Sequence, residues 1–224
     1  MQSWRDPIDL YCERLDLGLW GEPLNAMTNW AFVLAGLWLI GWFAKTPGAR
    51  PQQILGGLIV GIGIGSGLFH TVAERWAVWA DVGSIAITLM VFICIWLKQV
   101  MGLPWRWAWL GAPGFLAWSY GVAQVIPPDI ANGSGSYAAA WLGLAIIAAL
   151  QATRGAPGAG GFLAAHAIFS VSLMFRSVDQ AWCPQWPWGT HFAWHLLNAA
   201  TLTVATLALA RAAGLGPARQ RQTG

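Results

Sequence analysis

The sequence predicts an all-α integral membrane protein, a single bundle of seven transmembrane helices. Three observations carry that expectation. Charged residues make up 9% of the 224-residue chain and hydrophobic residues 57%, whereas charged residues run near ~25% in soluble domains. Seven apolar stretches approach the roughly 20 residues that a helix needs to cross a bilayer. Tryptophan occurs 17 times, which suits the aromatic belts at membrane interfaces.

The elements follow in order. Residues 1–22 form a polar, acidic N-terminal segment with no early apolar core, so no cleavable signal peptide is apparent. The membrane domain covers residues 23–213. Its first two spans are Pro23–Phe43 and Gln53–Thr71, divided by the connection Thr46–Pro51. The third, Ala80–Val100, has a carboxylate, Asp81, at its start, and the fourth is Pro104–Ile126. The fifth, Tyr137–Thr153, lies between the proline- and glycine-bearing connections Pro127–Ser136 and Arg154–Ala159. The sixth, Gly160–Arg176, is diluted by His166, Arg176 and several small residues. The seventh is Gly189–Ala212, and a basic tail covers residues 214–224. The connections are too short to hold a water-soluble domain.

Basic residues set the expected orientation, N-terminus outside and C-terminus inside. Lys45, Arg50, Lys98, Arg106, Arg154, Arg211, Arg219 and Arg221 would then lie inside, with Arg5, Arg14, Arg75 and Arg176 outside, as the positive-inside rule prefers. The net charge is +3 and the basic residues are scattered singly, which gives nucleic-acid binding little support. In this orientation Cys12 and Cys183 are both on the outer side. A disulfide is chemically allowed there, and unrelated free thiols are the alternative reading. Cys94 sits mid-helix as an apolar filler.

The chain has four histidines. His191 and His195 are four residues apart and share a helix face, as do Ser66 and His70 on the second span. The orientation puts His70, Asp81, His191 and His195 at similar depth. Ionisable groups inside a membrane are expensive and mark functional sites. Three imidazoles from two helices, beside a carboxylate and a hydroxyl, match a catalytic zinc site with one position open to water. His166 has no partner at useful spacing and reads as a packing histidine. Glu74 is expected to pair with Arg75 at the interface, and Asn198 projects near the His191 and His195 face.

The run Ser66-Gly67-Leu68-Phe69-His70-Thr71, then Asp81, then His191-Phe192-Ala193-Trp194-His195 resembles the alkaline ceramidase family. That family belongs to a wider group of seven-helix membrane hydrolases that includes adiponectin-type receptors and GPI-lipid remodelling enzymes. The N-terminal Cys12-Glu13 and Glu22-Pro23-Leu24-Asn25-Ala26-Met27-Thr28-Asn29 match as well, so the resemblance spans nearly the whole chain. The chain departs from the usual pattern in having Val82 after Asp81, Thr28 where serine is commoner, and Asp9 three residues before Cys12. The resemblance implies His70, His191 and His195 as zinc ligands, with Ser66 and Asp81 working beside the metal. It also implies a Cys12–Cys183 bridge and a calcium site among the N-terminal acids Asp9, Glu13, Asp16 and Glu22. Composition alone reads those acids as a solvated loop.

The activity so implied is zinc-dependent hydrolysis of ceramide, or a close relative, to a sphingoid base and a fatty acid, with the lipid entering from the bilayer. Short loops and an Ala-, Trp- and Arg-rich composition point to a bacterial inner membrane with the site facing the periplasm; in a eukaryote the same orientation would face the lumen of the ER or Golgi. Two other readings use the same features. A lipid-sensing receptor, or a hydrolase of another lipid, would keep the scaffold. A b-type haem protein would use intramembrane histidines in facing pairs and leaves Ser66 and Asp81 unexplained. A retinal protein is disfavoured because the only lysines, Lys45 and Lys98, lie outside the seventh span.

Overall fold

The computed structural model describes residues 3–215; most of the basic tail, including Arg219 and Arg221, lies outside them. Among the described residues, ten α-helices and one 3-10 turn (Ser134–Tyr137) follow the N-terminal segment. The helices are α1 (Pro23–Thr28), α2 (Trp30–Phe43), α3 (Arg50–Val72), α4 (Arg75–Gln99) and α5 (Trp105–Ala108). Then come α6 (Gly111–Ala123), the single turn α7 (Ile130–Gly133), α8 (Ala138–Thr153), α9 (Ala159–Trp182) and α10 (His191–Ala212). No strand is present among the described residues.

Six helical stretches are long and apolar enough to cross a membrane: Pro23–Phe43, Arg50–Val72, Arg75–Gln99, Ile130–Thr153, Ala159–Trp182 and His191–Ala212. The expected fourth span is the one that differs, because it divides into α5 and α6. Pro113 has no N–H for the Trp109 carbonyl one turn back, and its ring crowds that carbonyl. The Trp109 oxygen accepts instead from the Ala112 N–H at 3.2 Å, a tighter turn, and the Cys94 thiol lies 3.9 Å from it. Even so, α5 and α6 take the chain from the Met101 end, where Arg154 reaches Met101, to the Asn132 turn, which touches Arg176. The sixth span continues six residues past the expected Arg176, because Arg176 and Asp179 are buried against neighbouring segments.

Inside the bundle, Phe92, Ile95 and Trp96 of α4 pack with Phe162 of α9 and Leu209 of α10. Phe32, Leu39 and Phe43 of α2 pack with Ile59 and Ile62 of α3. The outward faces are also apolar: Leu34, Leu37, Ile54, Ile87, Ile146 and Val171 are all exposed. A helix that is hydrophobic all round belongs in lipid or in a deep core, and these faces have no protein over them. The protein is therefore read as a membrane protein. The C-terminal end of α3 and the N-terminal ends of α1, α4 and α10 gather at one end of the bundle, together with residues 3–22.

Candidate metal centre

His70 lies in the last turn of α3, and His191 and His195 lie in the first two turns of α10. The ring centroids are 5.2 Å apart for His70–His191, 4.7 Å for His70–His195 and 4.7 Å for His191–His195. One ring nitrogen from each lies within 4.8 Å of the other two, and all three residues are buried. This cluster can hold a metal ion.

The hydrogen bonds around the rings choose their tautomers. His70 Nδ1 lies 2.5 Å from Glu22 Oε2. A carboxylate only accepts, so Nδ1 carries the proton and Nε2 keeps a lone pair. His195 Nδ1 lies 2.9 Å from Thr28 Oγ1, whose hydroxyl is within reach of the Leu24 and Asn25 carbonyls. With that hydroxyl donating to its own helix, His195 Nδ1–H donates to the oxygen and again leaves Nε2 free. Both Nε2 atoms, and Nδ1 of His191, are buried without a hydrogen-bond partner. Orphaned buried nitrogens are costly, and three brought together in this way fit the ligands of one metal ion. Orienting imidazole by carboxylate and hydroxyl is what metal sites use to fix the ligating nitrogen.

Asp81 is buried on the second turn of α4, and its Oδ1 has no partner. Ser66 is buried on α3 one turn before His70 and lies beside this carboxylate. The neighbouring Gly65 makes that approach possible, since a Cβ there would sit 2.5 Å from the Ala80 carbonyl. The structure thus brings together all five residues predicted for the zinc site.

Residues 3–22 close over this end. Ile8 N–H donates to the Ala73 carbonyl at 2.8 Å, Arg75 N–H to the Asp6 carbonyl at 3.1 Å, and Pro7 bridges Glu74. Cys12 and Cys183 are joined as a disulfide, their Cα atoms 5.5 Å apart. The Tyr11 ring stacks on His191 at 3.7 Å, and burial pushes its hydroxyl pKa up. Asp179, fully buried, accepts from the N–H groups of Thr190 (2.6 Å), His191 (2.9 Å) and Cys12 (3.0 Å). It neutralises the start of α10, where orphan N–H groups and the helix dipole favour an anion. Gly189 at φ +62° turns the chain there, and a side chain would run into Asp179 and Cys12.

The acids predicted for calcium do not form a metal-holding group with each other among the described residues. Asp9 and Asp16 are exposed, whereas Glu13 and Glu22 are buried. Glu13 caps α1, accepting from Leu24 N–H at 2.6 Å and Asn25 N–H at 2.7 Å; burial raises its pKa against those donors. Burial also works to raise the Glu22 pKa, but the hydrogen bonds and charges of His70 and Arg14 outweigh it and hold the carboxyl below its usual range. Glu74 accepts from Trp76 Nε1 at 2.7 Å rather than pairing with Arg75, because the Pro7 bridge fixes its backbone at the start of α4. His166 stacks against Trp141, centroids 5.0 Å apart, away from the cluster.

Beyond the histidines an apolar cavity runs into the bundle. Asn198, one turn past His195, lines it with Phe32, Tyr137 and Phe169. The histidines themselves are not part of its wall, so it adjoins the metal centre rather than containing it. The chain matches no known family model and no curated protein. The functional reading therefore stands on the site's own chemistry and the motif resemblance.

Proposed function

We propose that this protein is a zinc-dependent intramembrane amidase that hydrolyses ceramide or a closely related lipid amide to a sphingoid base and a fatty acid. One observation carries the reading: three buried imidazoles, two of them oriented by Glu22 and Thr28, bring unpartnered nitrogens together beside an unpaired carboxylate oxygen and an apolar cavity. Zinc held by His70, His191 and His195 would supply a Lewis acid for the carbonyl and lower the pKa of water toward ~7. Three imidazoles converging on one point suit a single ion better than a haem, which takes facing pairs.

The chain's own residues do the rest. Asp81 Oδ1 accepts a proton from the attacking water and returns it to the departing amine nitrogen. The Ser66 hydroxyl donates to the oxygen of the scissile carbonyl as negative charge builds there. Glu22 and Thr28 hold His70 and His195 in their ligating tautomers throughout. The apolar cavity lined by Phe32 and Phe169 offers a surface for an acyl chain, and a lipid arriving sideways from the bilayer would keep its chains out of water.

With α5 and α6 taken together as a crossing, the bundle has seven spans, N-terminus outside. Lys45, Arg50, Lys98, Arg106, Arg154 and Arg211 then mark the inner side, and the metal centre opens outward, to the periplasm of a bacterial cell. The disulfide, which suits an oxidising compartment, supports this orientation.

The test is incubation of purified protein with a panel of defined ceramides, other lipid amides and lipid esters, with acyl release and metal content followed on the same preparation. Release of fatty acid from amides by zinc-loaded protein is the expected result. A zinc-loaded protein that binds these lipids and cleaves none would instead be a lipid sensor on this scaffold.

A further inference from the structure

The motif resemblance implies calcium in the N-terminal segment, and the buried carboxylate oxygens there are already committed. Calcium takes six to eight oxygen ligands. Both Glu13 oxygens hold the backbone N–H groups of Leu24 and Asn25. Glu22 Oε2 holds His70 Nδ1 at 2.5 Å and Asn25 Nδ2 at 3.1 Å, and Glu22 Oε1 holds Arg14 Nε at 2.5 Å. Asp16 Oδ1 holds Gly18 N–H at 2.6 Å on the exposed rim. Asp9 faces solvent.

What these oxygens surround is a guanidinium. Arg14 is buried, and besides Glu22 it donates from Nη1 to the Asp16 carbonyl at 3.0 Å and from Nη2 to the His70 carbonyl at 3.1 Å. One carboxylate oxygen and two backbone carbonyls, from the N-terminal segment and from α3, are the donor types that a calcium ion collects. Here they converge on a cation that the sequence supplies itself. The chamber is closed around it, since a Cβ on Gly21 would lie 2.9 Å from Nη1. A buried charge persists only when paired and hydrogen-bonded, and arginine's planar fork meets several oxygens at once where an ammonium would not.

We propose that Arg14 is the resident cation of this segment: its guanidinium does the work of a divalent ion, and residues 3–22 close over the metal centre without calcium. Arg14 is also a positioning residue. It holds Oε1 of the carboxylate whose Oε2 orients His70, and it holds the His70 carbonyl as well, so the ligand is gripped at ring and backbone. The consequence for His70 rests on the metal-centre reading. The calcium claim is read separately, from melting temperature and bound calcium, and stands or fails apart from hydrolysis.

The experiment titrates calcium to about 10 mM, above the 10⁻⁴–10⁻³ M range of weak calcium modules, into zinc-loaded protein depleted of calcium on a chelating resin. Wild type should keep the same melting temperature and zinc content throughout and retain no calcium after desalting. Arg14→Ala should melt lower and release zinc more readily, and calcium should raise its melting temperature back toward wild type. Arg14→Lys should fall between them and respond weakly. Stoichiometric calcium on wild type with a saturable rise in melting temperature would overturn the proposal. So would an Arg14→Ala protein that matches wild type without calcium, or one that is destabilised and indifferent to it. If Arg14→Ala does not fold, Arg14→Gln takes its place under the same criteria, and the wild-type titration decides the calcium claim alone.

Discussion

At the metal-centre end, Glu13, Arg14, Glu22, Asp81, Arg176 and Asp179 are buried together with three histidines; at the far end the buried polar side chains are neutral, chiefly Thr46, Gln52 and Gln151. Much of the far end is the apolar packing of Phe92, Ile95, Trp96, Phe162 and Leu209, with the Gln52–Gln99 amide pair at 2.6 Å as its polar contact. The contrast separates two uses of polar groups in a membrane. Far from the site the buried polar groups are neutral, and the atoms without a partner there are amide and indole atoms such as Gln52 Oε1, Gln151 Nε2 and Trp96 Nε1. At the site Glu22 and Thr28 orient two of the histidines, while ionisable and ligating atoms, His70 Nε2, His195 Nε2 and Asp81 Oδ1, are left without partners. Stability alone would not retain such a set.

The comparison breaks most visibly at the ligands. His191→Ala and His195→Ala should each abolish bound zinc and amide hydrolysis together, measured by elemental analysis and acyl release on one preparation. Asp81→Asn should separate those readouts. It keeps shape and a hydrogen bond but accepts no proton, so zinc stays while turnover drops by about 10²–10⁴. Glu22→Gln tests the orienting layer: zinc affinity, from competition with a chromogenic chelator, should fall about 10–100-fold. Removing the disulfide by Cys12→Ser should cost roughly 2–4 kcal/mol by loop closure, read as a lower melting temperature with zinc still bound. The smallest effect belongs to the histidine outside the centre. His166→Phe should leave zinc content and rate at wild-type values; a loss of metal there would dissolve the distinction between the two kinds of intramembrane histidine.

Much of this was legible along the chain, and the reasons are local. The i, i+4 pair His191 and His195, and Ser66 with His70, announce shared helix faces because the helical period is fixed. Cys12 and Cys183 could be placed on one side from the charge bias of the loops. The orienting groups were not legible in the same way. Glu22 is 48 residues from His70 and Thr28 is 167 from His195, and no periodicity links positions so far apart. Glu22 stood out only as an acid, and the same carboxylate serves calcium or an imidazole depending on what folds against it. Arg14, beside Glu13 in the sequence, reads as a surface partner until the fold buries it. Asp179 carried a signal that was missed: an acid twelve residues before the start of a helix that begins with a histidine. Pro113, with Gly111 and Gly114 around it, likewise marked the break in the fourth segment, but overall hydropathy concealed it.

The central claim is that His70, His191 and His195 together bind one zinc ion. X-ray absorption at the zinc edge on purified, metal-quantified protein tests it directly. The account predicts about one zinc per chain in a four-coordinate shell of three imidazole nitrogens and one oxygen donor, with the imidazole scattering weakened in His195→Ala. A wild-type protein that binds no zinc after loading, or a shell unchanged by His195→Ala, would contradict it.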